Sequence, residues 1–191
     1  ELGFAIFIFV SPLFGTAVLA ANHVLFKFIE IIAFALDGFA FAAETLAGQA
    51  FGARRPDTVR RASIMSAVWG LGMTGALSAM FLLAGPWIID LIAVAPDVRA
   101  EARVYLPWIV AVPVLSLPAF MFDGIFVGAT RTRDMRNSMI LSLALYLACA
   151  AALGRLLGAH GRWAALLIFF AARGSTLGLR YPALERAAAT G

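Results

Sequence analysis

Three acidic residues stand at a regular spacing inside one strongly apolar stretch of the sequence. Glu30, Asp37 and Glu44 are separated by seven residues each, which is about two turns of an α-helix, so their side chains fall along nearly one line of its surface. Lys27 precedes Glu30 by three residues, within reach of an ion pair. If the helix crosses a membrane, a carboxylate that faces lipid at mid-depth costs roughly 2.5–3.5 kcal/mol. We therefore expect these acids to face other helices or a polar cavity.

Acids held at such a depth could bind cations or carry protons, because burial favours the neutral form of a carboxylate and moves its titration towards neutral pH. Asp37 and Glu44 are candidates for this role, with Gln49 as a further polar residue near the end of the stretch. A structural explanation stands beside it. Lys27 and Glu30 neutralise each other, and the Glu44 side chain extends to the aqueous end of the helix.

A second apolar stretch carries an acid after three prolines. Pro107, Pro113 and Pro118 each remove a backbone donor and favour a bend, and Asp123 follows them. A broken helix with an acid at membrane depth is typical of an ion or substrate site in a transporter. The sequence therefore predicts such a site at Asp123. The alternative is a hydrogen bond from a neighbouring helix that serves packing alone.

Two further residues could take part in chemistry. Arg173, in the string FFAARGSTLG, either pairs with a buried acid or extends its long stem to the aqueous interface. His23 either titrates or is simply hydrogen-bonded. The string GLGMTG at 70–75 has the spacing of a dinucleotide fingerprint, but it lies inside an apolar run, so we interpret it as helix packing. The sequence shows no metal-ligand cluster, nucleophile triad or phosphate loop, so we predict no enzyme, no metal and no cofactor.

The composition indicates that lipid is the solvent of this chain. Hydrophobic residues make up 62% and charged residues 14% of its 191 residues, whereas soluble domains have about 45–50% and about 25%. The apolar runs at 62–84, 105–129 and 138–158 are each close to or beyond the ~20 residues that a helix needs to cross a membrane. Because lipid offers no partners for backbone amides, each crossing is predicted as an α-helix. The predicted fold class is an all-α integral membrane protein.

We predict six transmembrane segments that form a single lobe over residues 1–191. The first is short, and the abrupt start of the sequence suggests that it is truncated. The second is long enough either to tilt or to break near Gly38. The predicted spans are 2–15, 17–51, 62–84, 105–129, 138–158 and 163–181.

Basic residues cluster on alternate connections between these spans, which is how a membrane protein sets its orientation. Four arginines lie on one side, at positions Arg99, Arg103, Arg155 and Arg162. Nine lie on the other side, at positions Arg54, Arg55, Arg60, Arg61, Arg131, Arg133, Arg136, Arg180 and Arg186. The larger set predicts the cytoplasmic side, with both chain ends there. Since orientation explains the net charge of +4, nucleic acid is not an expected partner.

Three strings of this sequence resemble a transporter family. LAANHVLFKFIEIIAFALDGFAFAAETLAGQAFGAR, FDGIFVGATRTRDMRNSM and FFAARGSTLGLRYP are similar to the C-terminal half of the multidrug and toxic compound extrusion (MATE) transporters, in particular the DinF-type branch. The resemblance runs from about residue 14 to 183. It implies helices seven to twelve of a twelve-helix protein, with 17–51 as the eighth helix and 105–129 as the tenth. Asp37, Glu44 and Gln49 would lie on the eighth helix. Asp123 would lie on the tenth, where some branches have a cation-coordinating acid.

The resemblance also implies a function, namely secondary active antiport across the plasma (inner) membrane. Cationic or amphiphilic drugs leave as H⁺ or Na⁺ enters, by alternating access of a cavity between two six-helix lobes. The partners would be the bilayer, the exported small molecule and an N-terminal lobe. That missing lobe would carry the aspartate on which the DinF-type branch is thought to depend. Two alternatives stay open: a lipid-linked oligosaccharide flippase of the related superfamily, and an inert half-transporter.

Overall fold

The computed structural model of the chain describes residues 16–190, and these residues are almost entirely α-helical. Within this range the chain forms five helices: α1 Thr16–Gly52, α2 Pro56–Ile92, α3 Pro96–Gly128, α4 Thr132–Leu157 and α5 Ala159–Thr190. The predicted span 2–15 lies outside the described residues. The all-α prediction is thus confirmed for the part of the chain that the structure describes.

Three of the described helices, α2, α3 and α4, are long and apolar enough to cross a membrane. They match the runs predicted as spans at 62–84, 105–129 and 138–158, although the second and third runs each end one residue beyond the helix. The predicted spans 17–51 and 163–181 are also helical, as α1 and α5. That these two cross the bilayer, and that the lobe has six spans in all, stay predictions.

The helices extend further than the apolar runs alone indicate. The interval 85–104 between the predicted spans 62–84 and 105–129 is mostly helical, since only residues 93–95 separate α2 from α3. Pro96 stands in the first turn of α3, where a missing N–H costs nothing because that group has no helical partner anyway. Asp90 near the end of α2 pairs with Arg103 of α3 at 2.6 Å. In this segment the proline starts a helix and the ion pair links two helices, so neither marks a long loop.

The break considered near Gly38 as an alternative to tilt is not found, and the interruption expected at the three prolines of α3 is not found either. α1 continues through Gly38, and α3 continues through Pro107, Pro113 and Pro118. A break would leave several amides and carbonyls without partners in an apolar surrounding, whereas each proline removes only one backbone donor. The unbroken helix is therefore the less costly arrangement.

Side-chain hydroxyls add hydrogen bonds to the helix backbone close to Pro113. The hydroxyl of Ser78 in α2 donates to the carbonyl of Val110, one turn before Pro113, at 2.8 Å. The hydroxyl of Ser116 donates to the carbonyl of Pro113 itself at 3.3 Å. Hydroxyls of the same and of a neighbouring helix are how membrane helices tolerate internal prolines.

α3 lies at the centre of the bundle. α1, α2 and α5 all pack extensively against it, while α4 packs mainly against α5. The buried side chains of α3 are large and apolar, among them Ile109, Ile125 and Phe126. Residues of α3 can therefore contact α1, α2 or α5. A site formed by several helices is expected on α3.

α1 and α3 approach each other most closely at two glycines of α3. A Cβ atom built on Gly124 would overlap the backbone carbonyl of Ala40, and one built on Gly128 would overlap that of Glu44. Glycines four residues apart form a flat strip that lets two membrane helices meet at backbone distance. This contact fixes the position of α1 along the axis of α3. It therefore also fixes the position of the acids of α1 relative to the acid of α3 along that axis.

Candidate functional site

The least exposed ion pair among the described residues joins α3 to α5. The Arg173 Nη2 atom lies 2.6 Å from Asp123 Oδ2, and Arg173 Nε donates to Asp123 Oδ1 at 3.2 Å. The two side chains retain only 14% and 18% of their surface exposed. This hydrogen bond and the close contact of the second nitrogen hold both groups in one orientation. Of the two positions considered for Arg173, the structure therefore has the pair with a buried acid.

Hydroxyl groups hold the backbone of Arg173 beside this pair. Its carbonyl accepts hydrogen bonds from Thr176 Oγ1 at 3.1 Å and from Ser138 Oγ of α4 at 3.4 Å. The two hydroxyl oxygens lie 2.5 Å apart. Sequence reasoning missed both residues, although Thr176 stands one turn after Arg173 in the string that was singled out. Through them α4 is attached to α5 at the level of the ion pair.

A second group of charges lies further towards the arginine-rich end of the bundle. Asp134 of α4 pairs with Arg180 of α5 and, at 3.5 Å, with Arg131 in the connection before α4. The Arg180 side chain is half exposed, so this group is closer to water than the Asp123–Arg173 pair. These contacts fasten the N-terminal end of α4 to α5.

A groove of about 380 Å³ runs between α1, α3 and α5. We call it the α1–α3–α5 groove. Its lining is mainly apolar, and it includes His23, Lys27 and Glu30 of α1, Ser116 and Phe120 of α3, and Phe170 of α5. The sequence did not single out Ser116 or the two phenylalanines. Ser116 could have been identified from the sequence, because it lies seven residues before Asp123. The same spacing separates the acids of α1.

The buried ion pair lies on the helix faces that line this groove. Asp123 follows the lining residue Ser116 by two turns, and Arg173 follows the lining residue Phe170 by one turn. Residues three, four or seven apart share a face of a helix. The pair therefore continues the wall of the α1–α3–α5 groove towards the arginine-rich end.

Two acids of α1 lie beyond the groove on the face of α1 that lines it. Asp37 and Glu44 follow the lining residue Glu30 by two and four turns, and both are partly buried. Within residues 17–189 neither carboxylate has an ion-pair partner. Helical periodicity thus places Asp37 and Glu44, which have no counter-charge in this range, on the side of α1 that faces the groove. It places Asp123, which Arg173 neutralises, on the side of α3 that faces the groove.

Three other candidates of α1 stand apart from this arrangement. Glu30 and Lys27 form an ion pair at 3.0 Å in which both side chains are more than half exposed, so they neutralise each other. Gln49 is exposed in the last helical turns of α1. It comes five residues after Glu44, which is about 140° around the helix, so it belongs to another face. A role for Gln49 stays a prediction without support from the geometry.

An apolar helix bundle whose charged residues share one inner face is typical of a membrane transporter. The profile of the MatE family matches residues 2–153, which is well over half of the chain, so the chain belongs to the MatE family of membrane transporters. The family resemblance noted in the sequence is therefore confirmed.

One curated relative gives a finer comparison. The chain is 39% identical over 167 residues to the DNA damage-inducible protein F of Escherichia coli (strain K12). The match covers 85% of this chain and 35% of the relative. The chain thus spans about a third of the length of the curated relative that it matches.

Proposed function

We propose that the chain forms the C-terminal lobe of a secondary active antiporter that exports cationic or amphiphilic compounds in exchange for H⁺ or Na⁺. The observation that carries the proposal is the enclosed Asp123–Arg173 pair. By helical periodicity, this pair and the unpaired acids Asp37 and Glu44 lie beyond the α1–α3–α5 groove on the helix faces that line it. Membership of the MatE family supports transport across a membrane. The choice of exchanged ion and exported compound belongs to the proposal.

The ion pair offers a switch between two arrangements of the helices. While the Asp123 carboxylate is free of other cations, it attracts the Arg173 guanidinium and holds α3 against α5. A proton or a sodium ion on Asp123 removes most of that attraction, so the arginine turns to another anion or to water. Ion binding therefore favours an arrangement in which the two helices are less closely joined, and the difference in affinity sets how far the population shifts.

The α1–α3–α5 groove suits the other partner of the exchange. Its phenylalanines, Phe120 and Phe170, would contact the apolar part of an amphiphile. The unpaired carboxylates of Asp37 and Glu44 would attract its positive charge. Pockets for small molecules commonly combine apolar walls with a few placed charges. Transport then follows from competition, because the exported cation and the coupling ion cannot both be bound favourably by one set of acids.

The wider architecture is part of the same proposal. The chain would supply helices seven to twelve, and an N-terminal six-helix lobe would close the cavity from the other side. The distribution of arginines favours a plasma (inner) membrane protein with both ends of the chain in the cytoplasm. A flippase for lipid-linked oligosaccharides is less well supported, because a pyrophosphate needs free cations. Within the described spans both candidates are neutralised, Lys27 by Glu30 and Arg173 by Asp123.

The test is transport by variants in which single carboxylates become neutral amides. In everted vesicles from cells that express the intact protein, we expect Asp37→Asn and Asp123→Asn each to slow ion-driven uptake of a fluorescent cation. A lost charge-assisted contact of ~1.5–3 kcal/mol corresponds to roughly tenfold or more.

The matched control for both variants is Asp97→Asn. This acid is exposed in the first turn of α3, and the variant should transport at the wild-type rate. Driving uptake separately with a proton and with a sodium gradient identifies the coupling ion. If Asp37→Asn and Asp123→Asn both transport at the wild-type rate, the assignment of the site is wrong.

A further inference from the structure

A second groove, of about 540 Å³, lies between α2, α3 and α5. We call it the α2–α3–α5 groove. Its floor is formed by apolar side chains of α3, and its walls by the face of α2 that carries Ala67 and Leu71 and by Tyr181 of α5. Polar groups line it only at one end, where Arg60, Ser63 and Tyr181 are found. The α2–α3–α5 groove is thus apolar along its length, with a cation at one end.

This groove faces away from the proposed transport site. On α3 it is lined by Pro118 and Phe122, whereas Ser116 and Phe120 line the α1–α3–α5 groove. Residues two apart on a helix point about 200° apart. Leu71 on its rim is 53% exposed. An exposed apolar face on the far side of a membrane bundle is a surface for acyl chains, so lipid is the available occupant.

The polar end of the groove holds a cation, Arg60, that forms no ion pair within the described residues. The Tyr181 hydroxyl donates to Ser63 Oγ at 3.0 Å, and the Ser63 hydroxyl donates to the carbonyl of Val59 at 2.9 Å. Both hydroxyl protons are therefore used, and this contact ties α5 to α2. Arg60 is exposed, and within residues 17–189 no carboxylate forms an ion pair with it, including Asp57 one turn earlier. Glu185 of α5 interacts with the Tyr181 hydroxyl at this end but forms no ion pair with Arg60, so the Arg60 guanidinium is available to an anion.

We propose that the α2–α3–α5 groove binds an anionic phospholipid, with its phosphate at Arg60 and one acyl chain along the apolar wall. A guanidinium matches a phosphate through two parallel hydrogen bonds, and basic pockets between membrane helices bind anionic headgroups. From Arg60 to Leu71 the groove follows eleven residues of α2, about 16 Å. That is close to half of a hydrocarbon core of ~30 Å, the depth of one leaflet. The arginine distribution predicts the cytoplasmic leaflet.

The bound lipid would connect α2 to α5 across the outer face of α3. These two helices already meet at the Tyr181–Ser63 hydrogen bond, and the acyl chain would extend that contact along the groove. Because the site lies on the side of α3 opposite Asp123, its occupancy is independent of which compound the transporter exports. The expected effect is on stability and on the mobility of α2 against α5.

The test compares two lipids and two arginines in the intact purified protein. Added phosphatidylglycerol should raise the midpoint of thermal unfolding in detergent by roughly 4 °C more than phosphatidylcholine with the same acyl chains. Arg60→Gln should lose that difference. Arg133→Gln, which removes an equally exposed arginine in the first turn of α4 on the same predicted side, should keep it. Native mass spectrometry should show phosphatidylglycerol retained by the wild type and by Arg133→Gln, but not by Arg60→Gln.

A groove-filling variant provides the second arm. Ala67→Phe should reduce retention of phosphatidylglycerol while leaving Arg60 in place. Equal stabilisation by the two lipids would overturn the proposal in favour of an unselective apolar surface. Equal losses in Arg60→Gln and Arg133→Gln would overturn it in favour of diffuse surface charge. Lipid-independent cross-linking of two copies through this face would show that a second chain occupies the groove instead.

Discussion

Asp123→Asn is expected to unfold at a clearly lower temperature than the wild type, because it leaves the Arg173 guanidinium without its partner. Removing one member of a buried pair costs about 3–5 kcal/mol, mainly through the charge that stays behind. Both side chains keep a small exposed fraction, 14% and 18%, so we expect a value near the lower end, about 3 kcal/mol. Arg173→Gln should be destabilised in the same way. Thermal unfolding of the intact protein in detergent measures both.

The double variant Asp123→Asn/Arg173→Gln distinguishes the contribution of the ion pair to stability from its contribution to transport. With both charges gone, no unpaired charge is left, so most of the lost stability should return, while ion-driven transport should not. Asp90→Asn is the control, because the Asp90–Arg103 pair is 38–49% exposed and such pairs contribute about 0–1 kcal/mol. If the double variant loses as much stability as the two single variants together, the two side chains act independently, and the proposed switch has no basis.

Gly124→Ala is expected to have an effect of similar size through a different cause. The new methyl group would overlap the backbone carbonyl of Ala40, which cannot turn aside as a side chain can, so α1 must move away from α3. Overpacking of a well-packed contact costs about 1–3 kcal/mol and occasionally more. Because backbone meets backbone here, we expect about 3 kcal/mol. Gly128→Ala should behave alike, since its methyl group would meet the backbone of Glu44.

Gly72→Ala is the matched control for this prediction. A Cβ atom at Gly72 in α2 meets nothing within 4 Å, and alanine favours a helix over glycine by about 0.8–1.0 kcal/mol. The control should therefore unfold at the same or a higher temperature in the same assay. If Gly124→Ala and Gly128→Ala are as stable as Gly72→Ala, the close contact of α1 with α3 is not a feature of the folded protein.

The sequence predicts the secondary structure well because lipid leaves the chain little choice. Apolar runs of ~20 residues must be helical to satisfy their own amides. The runs at 62–84, 105–129 and 138–158 coincide with parts of α2, α3 and α4 to within one residue. The helix ends and the continuity of α3 were not predictable in the same way. They depend on contacts between helices, such as the hydrogen bond from Ser78 to the Val110 carbonyl.

The candidate site was predictable in its parts but not in its assembly. The seven-residue spacing of Glu30, Asp37 and Glu44 places them on one face of α1 from local geometry alone. By contrast, Asp123 and Arg173 are fifty residues apart in sequence, and only the packing of α5 on α3 brings them together. The sequence therefore indicated which side chains are unusual at membrane depth, and the structure indicates which of them are neutralised.

The proposed transport site requires that the acids of α1 and α3 face a polar space rather than acyl chains. The most direct measurement is the reaction of single cysteines with a charged, membrane-impermeant thiol reagent, in the intact protein with Cys149→Ser as the background. Such reagents need an ionised thiol, and a thiol among acyl chains stays protonated. Asp37→Cys should react. Leu83→Cys, whose native side chain is apolar and 82% exposed on α2, should not. If Asp37→Cys is as unreactive as Leu83→Cys, the side chain at position 37 does not face a polar space, and the transport site proposed for this chain is contradicted.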